Sequence, residues 1–414
     1  MMILFHIFVG FFLLQTCLTQ DDDNFNLYSN HKMYHIQGNK DGMDKLMDFL
    51  MKNHELPYHS NTPKGCHMLV APSLVPVVED IAKTEGLTTN VIIDDYSELI
   101  RNEKNSRQYK EGFSWTAYYD VDDIYGYLHN MSQQHPEWAK VVVGGQSYEG
   151  RQILGLRINT PTDEDKPIMF IESGIHAREW ITPATTTYFI NELLTSTDPE
   201  ITSMRDQFDW HIFPTVNPDG YHYSYTKDRM WRKTRSRSEN GCYGADPNRN
   251  WDYNWMNYSS SNNPCNYQLY AGSKPFSEIE TRTLSEYISG LENMLGYIAY
   301  HSTAQTLLLP YSDSSEHVDN YDDLKKIGET SLRYGYAVNK AKYDGPGTAA
   351  EILYKASGGS IDWVRHTLGT PLVYVYELRG FYFSWPPSRI NEQGDEVTQM
   401  MVGLVKEARN LGYF

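Results

Sequence analysis

The sequence is poor in cysteine, poor in positive charge and, beyond its first twenty residues, without a long apolar run. Each shortage removes a class of reading. Only 4 Cys occur among 414 residues and no two are closely spaced, so a cluster of zinc thiolates has nothing to be built from. Lys and Arg number 36 against 53 Asp and Glu, and the formal net charge of −17 argues against nucleic acid or an anionic membrane as a partner. No stretch after residue 20 is long and apolar enough for a transmembrane helix. There is no internal repeat and no low-complexity tract. What remains is a globular composition with 32 Tyr and a chain long enough for two folded units.

The opening MMILFHIFVGFFLLQTCLTQ holds an uncharged apolar run over residues 3–14, too short to span a bilayer and followed by Asp21, Asp22 and Asp23. It reads as a signal peptide, residues 1–19, despite lacking Lys or Arg, and predicts a secreted, extracellular protein. Cys17 leaves with it. In an oxidising compartment Cys242 and Cys265, which bracket a loop rich in Asn, Ser, Gly and Tyr, pair as a disulfide worth about 3 kcal/mol in the chain-entropy model. Cys66 is then a buried thiol. Asn130 and Asn257 each open an Asn-x-Ser sequon.

Residues 20–107 alternate short apolar strands (32–37, 66–71, 90–94) with stretches of helical spacing (41–52, 74–83), which predicts a small α+β unit. At its end Arg101, Lys104, Arg107 and Lys110 recur every three residues, near one face of a helix. A solvated helix face explains that pattern, and so does a connecting segment presenting cut sites to a trypsin-like protease; its position between two units favours the second. From residue 113 apolar strands alternate with helices, the signature of a largely parallel sheet covered on both faces. Strands are expected at 140–144, 153–158, 168–172, 209–215, 295–300, 337–343 and 372–376, and helices at 182–194, 278–291, 358–368 and 396–411.

Three of those strands end on chemically distinctive residues. The 168–172 strand runs into His176 and Glu179, three apart; the 295–300 strand delivers His301; the 372–376 strand delivers Glu377. His-x-x-Glu alone is weak. In an open α/β sheet, however, ligands bind beyond the carboxyl ends of strands, so these groups converge on one crevice. Two imidazoles and a carboxylate form an open zinc site, one Zn2+ per chain, and a second carboxylate, Glu377, is available to accept and return protons.

GIHAREW, MWRKTRS, DPNRNWD, YHS, LYKASGGSIDW and YELRG, in this order and spacing, resemble the zinc carboxypeptidases of the digestive A/B family. The resemblance spans essentially the whole chain and implies an α/β/α sandwich with a mixed, mainly parallel eight-stranded sheet at 108–414. Residues 20–107 resemble that family's inhibitory prosegment. By resemblance His176, Glu179 and His301 are the zinc ligands, Glu377 the general base and acid, and Arg232 the stabiliser of the oxyanion. Asn248, Arg249 and Tyr354 hold the substrate's terminal carboxylate, Arg178 and Arg229 help receive incoming peptide, and Ile361 floors the specificity pocket.

The chain departs from the family pattern after Glu377, where the loop through Gly380 and Phe381 to Trp385 is short. Thr303 stands where Tyr is common, and Ala349 and Ser312 alter the pocket. The expected protein is a secreted, monomeric zymogen that, once cut, removes aromatic or branched aliphatic residues from peptide carboxyl ends. A B-type preference for basic ends, an inactive secreted homologue and a zinc amide hydrolase of small acylated amino acids remain as alternatives.

Overall fold

The computed structural model describes residues 27–52, 58–62, 65–106, 112–162 and 165–414. The expected signal peptide, and Arg107 and Lys110, lie outside the described residues. The first described unit is a four-stranded antiparallel sheet of β1 (Lys32–Gln37), β2 (Tyr58–Thr62), β3 (Gly65–Val70) and β4 (Thr88–Ile93), in the order β2-β3-β1-β4. Alternation along its strands sorts side chains by face. Tyr34, Ile36, Met68 and Val70 pack under the helices Lys40–Lys52 and Val75–Thr84, with Leu46, Leu50, Val78 and Ala82. Met33 and Leu69 point the other way and meet Tyr28, Tyr96 and Ile100 together with Met230, Tyr382 and Phe383 from far along the chain. Cys66 is buried in β3, its thiol donating to the His67 carbonyl at 3.3 Å.

The helix Tyr96–Asn105 follows, capped by Asp95, whose carboxylate accepts from Ser97 N–H. It carries Arg101 on an exposed face and Lys104 half-buried, with Nζ 5.6 Å from the Tyr225 ring centroid.

The larger unit is built on eight strands: β5 (Ala139–Gln146), β6 (Gln152–Ile158), β7 (Ile168–Ser173), β8 (Asp209–Phe213), β9 (Met294–Ser302), β10 (Thr306–Leu309), β11 (Asp344–Thr348) and β12 (Leu372–Leu378). Their order is β11-β10-β12-β9-β7-β8-β6-β5, and the β10–β11, β9–β12, β7–β9 and β7–β8 pairings are parallel. The sheet is mixed, as expected. β7, β8, β9 and β12 are buried along nearly their whole length, which is why β7, β9 and β12 read as largely apolar runs. On one face lie Val121–Gln134, Ile181–Thr195, Tyr321–Asn339 and Ile390–Asn410; on the other, Ile279–Ser289 and Ser360–Trp363.

Most expected elements are present within a few residues. The strand expected at 337–343 is absent: Tyr321–Asn339 is one helix, ended by Lys340 in the left-handed conformation, and β11 begins only at Asp344. A short apolar run does not separate strand from helix, and packing against Ile390–Asn410 decides for helix here. No helix among the described residues is long and apolar enough to cross a membrane.

Candidate active site

β7 ends at Ser173, and Gly174, with φ +63°, turns the chain out of the sheet at a place where a Cβ would sit 3.0 Å from the Pro214 carbonyl. Gly174 N–H donates to Thr182 Oγ1, and that hydroxyl donates to the Glu179 carbonyl, so the turn from 174 to 182 is closed on itself. The turn places His176 Nδ1 2.8 Å from Glu179 Oε1. Next to β7, β9 brings up His301, whose Nδ1 lies 3.2 Å from His176 Nδ1 and 3.3 Å from Glu179 Oε2. Ser302 N–H donates to Glu179 Oε2 at 3.0 Å and fixes the carboxylate. β12 pairs in register with β9 so that Glu377 stands beside His301. Among the described residues the Glu377 side chain makes no hydrogen bond or ion pair, and it is partly exposed.

All three converging residues are buried, and one ligand atom from each lies within 4.8 Å of the others. Two imidazole nitrogens close to each other beside a carboxylate, with His301 Nε2 buried and without a partner among the described residues, form a donor set that suits a small, borderline-soft cation such as zinc. Burial pushes the Glu179 carboxyl up, but His176 and His301 outweigh it and hold it well below the usual range. Burial raises Glu377 to about 7, with the Glu179 charge adding to the rise. A carboxyl poised there can both take and give a proton near neutral pH.

Behind the cluster lies Asp246. Its Oδ1 is 3.2 Å from His176 Nε2 and accepts from Asn248 N–H at 3.0 Å, while Oδ2 accepts from Arg232 Nε and Nη2 at 3.1 and 2.8 Å. One carboxylate thus orients an imidazole and a guanidinium together. Sequence reasoning passed over Asp246, although it opens the DPNRNWD block that supplies Asn248 and Arg249.

Arg249 is buried, with Nε donating to the Ser259 carbonyl and Nη1 to the Asn248 carbonyl. Asn248 Oδ1 accepts from Ser360 N–H at 3.1 Å, which ties it to the SGGSIDW segment. Gly358, with φ +72°, permits that approach, since a Cβ would fall 2.4 Å from the Arg249 carbonyl. Tyr354 is 53% exposed on the neighbouring loop. Ile361 is buried in one apolar cluster with Leu308, Ala349 and Val375. Asp362 is buried and accepts from Ser312 N–H at 3.0 and 3.1 Å and from its hydroxyl, so it is held to Ser312. Cys242 and Cys265 form the expected disulfide, with Cα atoms 5.2 Å apart.

Arg178 and Arg229 lie under the first unit. The Arg178 guanidinium stacks on the Phe383 ring at 4.0 Å, and Arg229 is fully buried against Trp180 and Glu103. The short loop after Glu377 makes this contact: Tyr382 donates to the His67 carbonyl, and Tyr96 donates to the Tyr382 carbonyl, both at 2.9 Å.

A cation held by two imidazoles and a carboxylate, next to a proton-carrying carboxyl, is the equipment of a metallohydrolase. The zinc carboxypeptidase family model matches residues 124–400. A zinc carboxypeptidase of Simulium vittatum is 45% identical over 310 residues, covering 72% of this chain and 98% of the relative. A carboxypeptidase B of Astacus astacus is 38% identical over 288 residues, covering 68% and 94%. Among solved structures, that of thrombin activatable fibrinolysis inhibitor superposes with a TM-score of 0.84 at 26% identity, covering 92% of this chain and 98% of that one. The chain belongs to the zinc carboxypeptidase family and is a metallocarboxypeptidase.

Proposed function

We propose that the full chain is the secreted zymogen of an enzyme that hydrolyses the last peptide bond of its substrate and prefers aromatic or branched aliphatic terminal residues. One observation carries the reading: Glu377 stands beside the His176–Glu179–His301 cluster, and the charges of Arg232 and Arg249 both act on its carboxyl. His176, Glu179 and His301 would hold one zinc ion. When bound, zinc lowers the pKa of water from 15.7 to about 7 and polarises a carbonyl.

Glu377 takes the proton of the attacking water and returns it to the leaving amine. Its raised affinity for a proton suits both steps. Arg232, aligned by Asp246, offers a fixed cation to the oxygen on which negative charge develops. Asn248, Arg249 and Tyr354 bind the free terminal carboxylate, which makes the enzyme an exopeptidase. Ile361, buried in an apolar cluster with Leu308, Ala349 and Val375, would floor the pocket that takes the terminal side chain.

Residues 20–107 act as the inhibitory segment, and the apolar seam joining Tyr28, Tyr96 and Ile100 to Met230, Tyr382 and Phe383 supports that role. The test pairs a peptide ending in free Phe with the same peptide amidated, using trypsin-treated protein and its Glu377→Gln variant, with zinc content measured in both. Cleavage confined to the free peptide, and abolished in the variant at unchanged zinc content, is expected. Equal cleavage of the amidated peptide, or a near-normal rate in the variant, refutes the assignment.

A further inference from the structure

Glu172, fully buried on β7 immediately before the strand ends, has no part in the proposed chemistry. β7 pairs with β9 so that Glu172 stands beside Ala299, and β9 pairs with β12 so that Ala299 stands beside Val375. Side chains two apart on a strand share a face, so Glu172 lies on the face of the sheet that carries His301 and Glu377, one row below them. Ala299 and Val375, its neighbours in that row, belong to the apolar cluster around Ile361. Glu172 Oε1 accepts from the Ser360 hydroxyl at 2.5 Å, and Ser360 immediately precedes Ile361. The second oxygen, Oε2, is buried without a partner among the described residues, and so is His301 Nε2. Burial pushes the Glu172 carboxyl up, with the Ser360 hydrogen bond and the His301 imidazole pulling against it. His301 turns Nδ1 toward the cluster, which makes Nε2 its outer nitrogen. His176 already has an outer carboxylate in Asp246, 3.2 Å from its Nε2. Imidazoles that hold a metal are characteristically backed in this way, and Glu172 is placed to back His301.

We propose that Glu172 is a positioning residue with one task for each oxygen: Oε1 fixes Ser360 and with it the Ile361 floor of the specificity pocket, and Oε2 supplies the negative charge behind the outer nitrogen of His301. The proposal rests on the peptidase reading above and deepens it, since terminal-residue selectivity and metal affinity then depend on one carboxylate that touches neither substrate nor metal. An apolar residue at the same place would pack without the penalty of burying a charge, so core packing alone does not account for a carboxylate there.

The experiment uses trypsin-treated protein and two variants: Glu172→Gln, which removes the charge yet keeps an acceptor for Ser360, and Ser360→Ala, which removes the tie yet keeps the charge. Competition against a chromogenic chelator reads zinc affinity, and kcat and KM are measured at saturating zinc on peptides that differ only in ending in Phe or in Ala. Glu172→Gln should bind zinc about 10–100-fold more weakly. Ser360→Ala should leave zinc affinity unchanged and lower the Phe-to-Ala ratio of kcat/KM by about three- to tenfold, with the loss carried by KM. A residue that served the core alone would lower the melting temperature of the zinc-free protein and move neither quantity. Zinc affinity equal to the parent's in Glu172→Gln, or an unchanged Phe-to-Ala ratio in Ser360→Ala, overturns the proposal while the peptidase reading stands. The Ser360→Ala ratio decides alone should Glu172→Gln fail to fold. Absence of cleavage by the parent refutes the peptidase reading and this proposal with it.

Discussion

Replacing Asp246 by Asn changes one oxygen for an NH2 group at a carboxylate that serves four donors. Oδ1 faces His176 Nε2 and Asn248 N–H, and Oδ2 takes both Arg232 hydrogen bonds. The amide has a single acceptor oxygen. Whichever way it turns, its NH2 group confronts a donor, so either the imidazole or the guanidinium loses its anchor. Burial pushes the Asp246 carboxyl up, but Arg232 and His176 outweigh it and hold it well below the usual range, which marks both contacts as charge-assisted. Losing one such bond costs about 1.5–3 kcal/mol. If His176 is released, zinc affinity should weaken by about 10–100-fold. If Arg232 is released, kcat/KM at saturating zinc should fall by about 10–100-fold, each tenfold loss corresponding to about 1.4 kcal/mol of transition-state stabilisation. Competition against a chromogenic chelator reads the first, and steady-state kinetics on a free-carboxylate peptide read the second. A variant matching the parent in both zinc affinity and kcat/KM refutes the claim that Asp246 orients either group.

Limited trypsin treatment of the full chain should raise activity sharply, and the position of the cut should matter: cleavage after Arg101 leaves Glu103 attached to the larger unit, whereas cleavage after Lys104 or any later basic residue frees it. N-terminal sequencing alongside activity checks this, and equal activity before and after cutting would end the zymogen reading. Terminal Phe should be preferred over terminal Arg, because burying Phe against Ile361 gains ~1.5–3 kcal/mol while an unpaired charge there costs more, and Asp362 is engaged by Ser312. Comparing kcat/KM for two peptides that differ only in that residue, before and after Ile361→Asp, tests it: the variant should shift toward Arg, and equal or faster cleavage of the Arg peptide by the parent would sink the idea.

The His176–Glu179–His301 cluster and Glu377 were legible because they lie at or just beyond the places where readable strands stop. An apolar run of period-two or fully buried character predicts β7, β9 and β12, and the polar residue after each run must then lie at the sheet's carboxyl edge, whatever the rest of the chain does. The helix Tyr321–Asn339 was not legible over its last turn, since Ala337 and Val338 are exposed and show no buried face, while the contact with Ile390–Asn410 is made by Gly335 against Met400 and by Asn339 Nδ2 donating to the Glu392 carbonyl. The small β10 has only four residues and no room to show a period.

By itself the sequence determined most of the central strands, the donor types at their ends, the disulfide partners and the family, because these depend on local pattern and on motifs that survive without coordinates. Only the tertiary structure decided which charges meet. Asp246 reaches His176 across 70 positions, and Glu103 reaches Arg229 across 126, each contact made by elements that no periodicity relates. An electrostatic partner is chosen by distance in space and by the removal of water around it, and neither quantity exists until the sheet, the crevice and the helix that covers it have closed on one another.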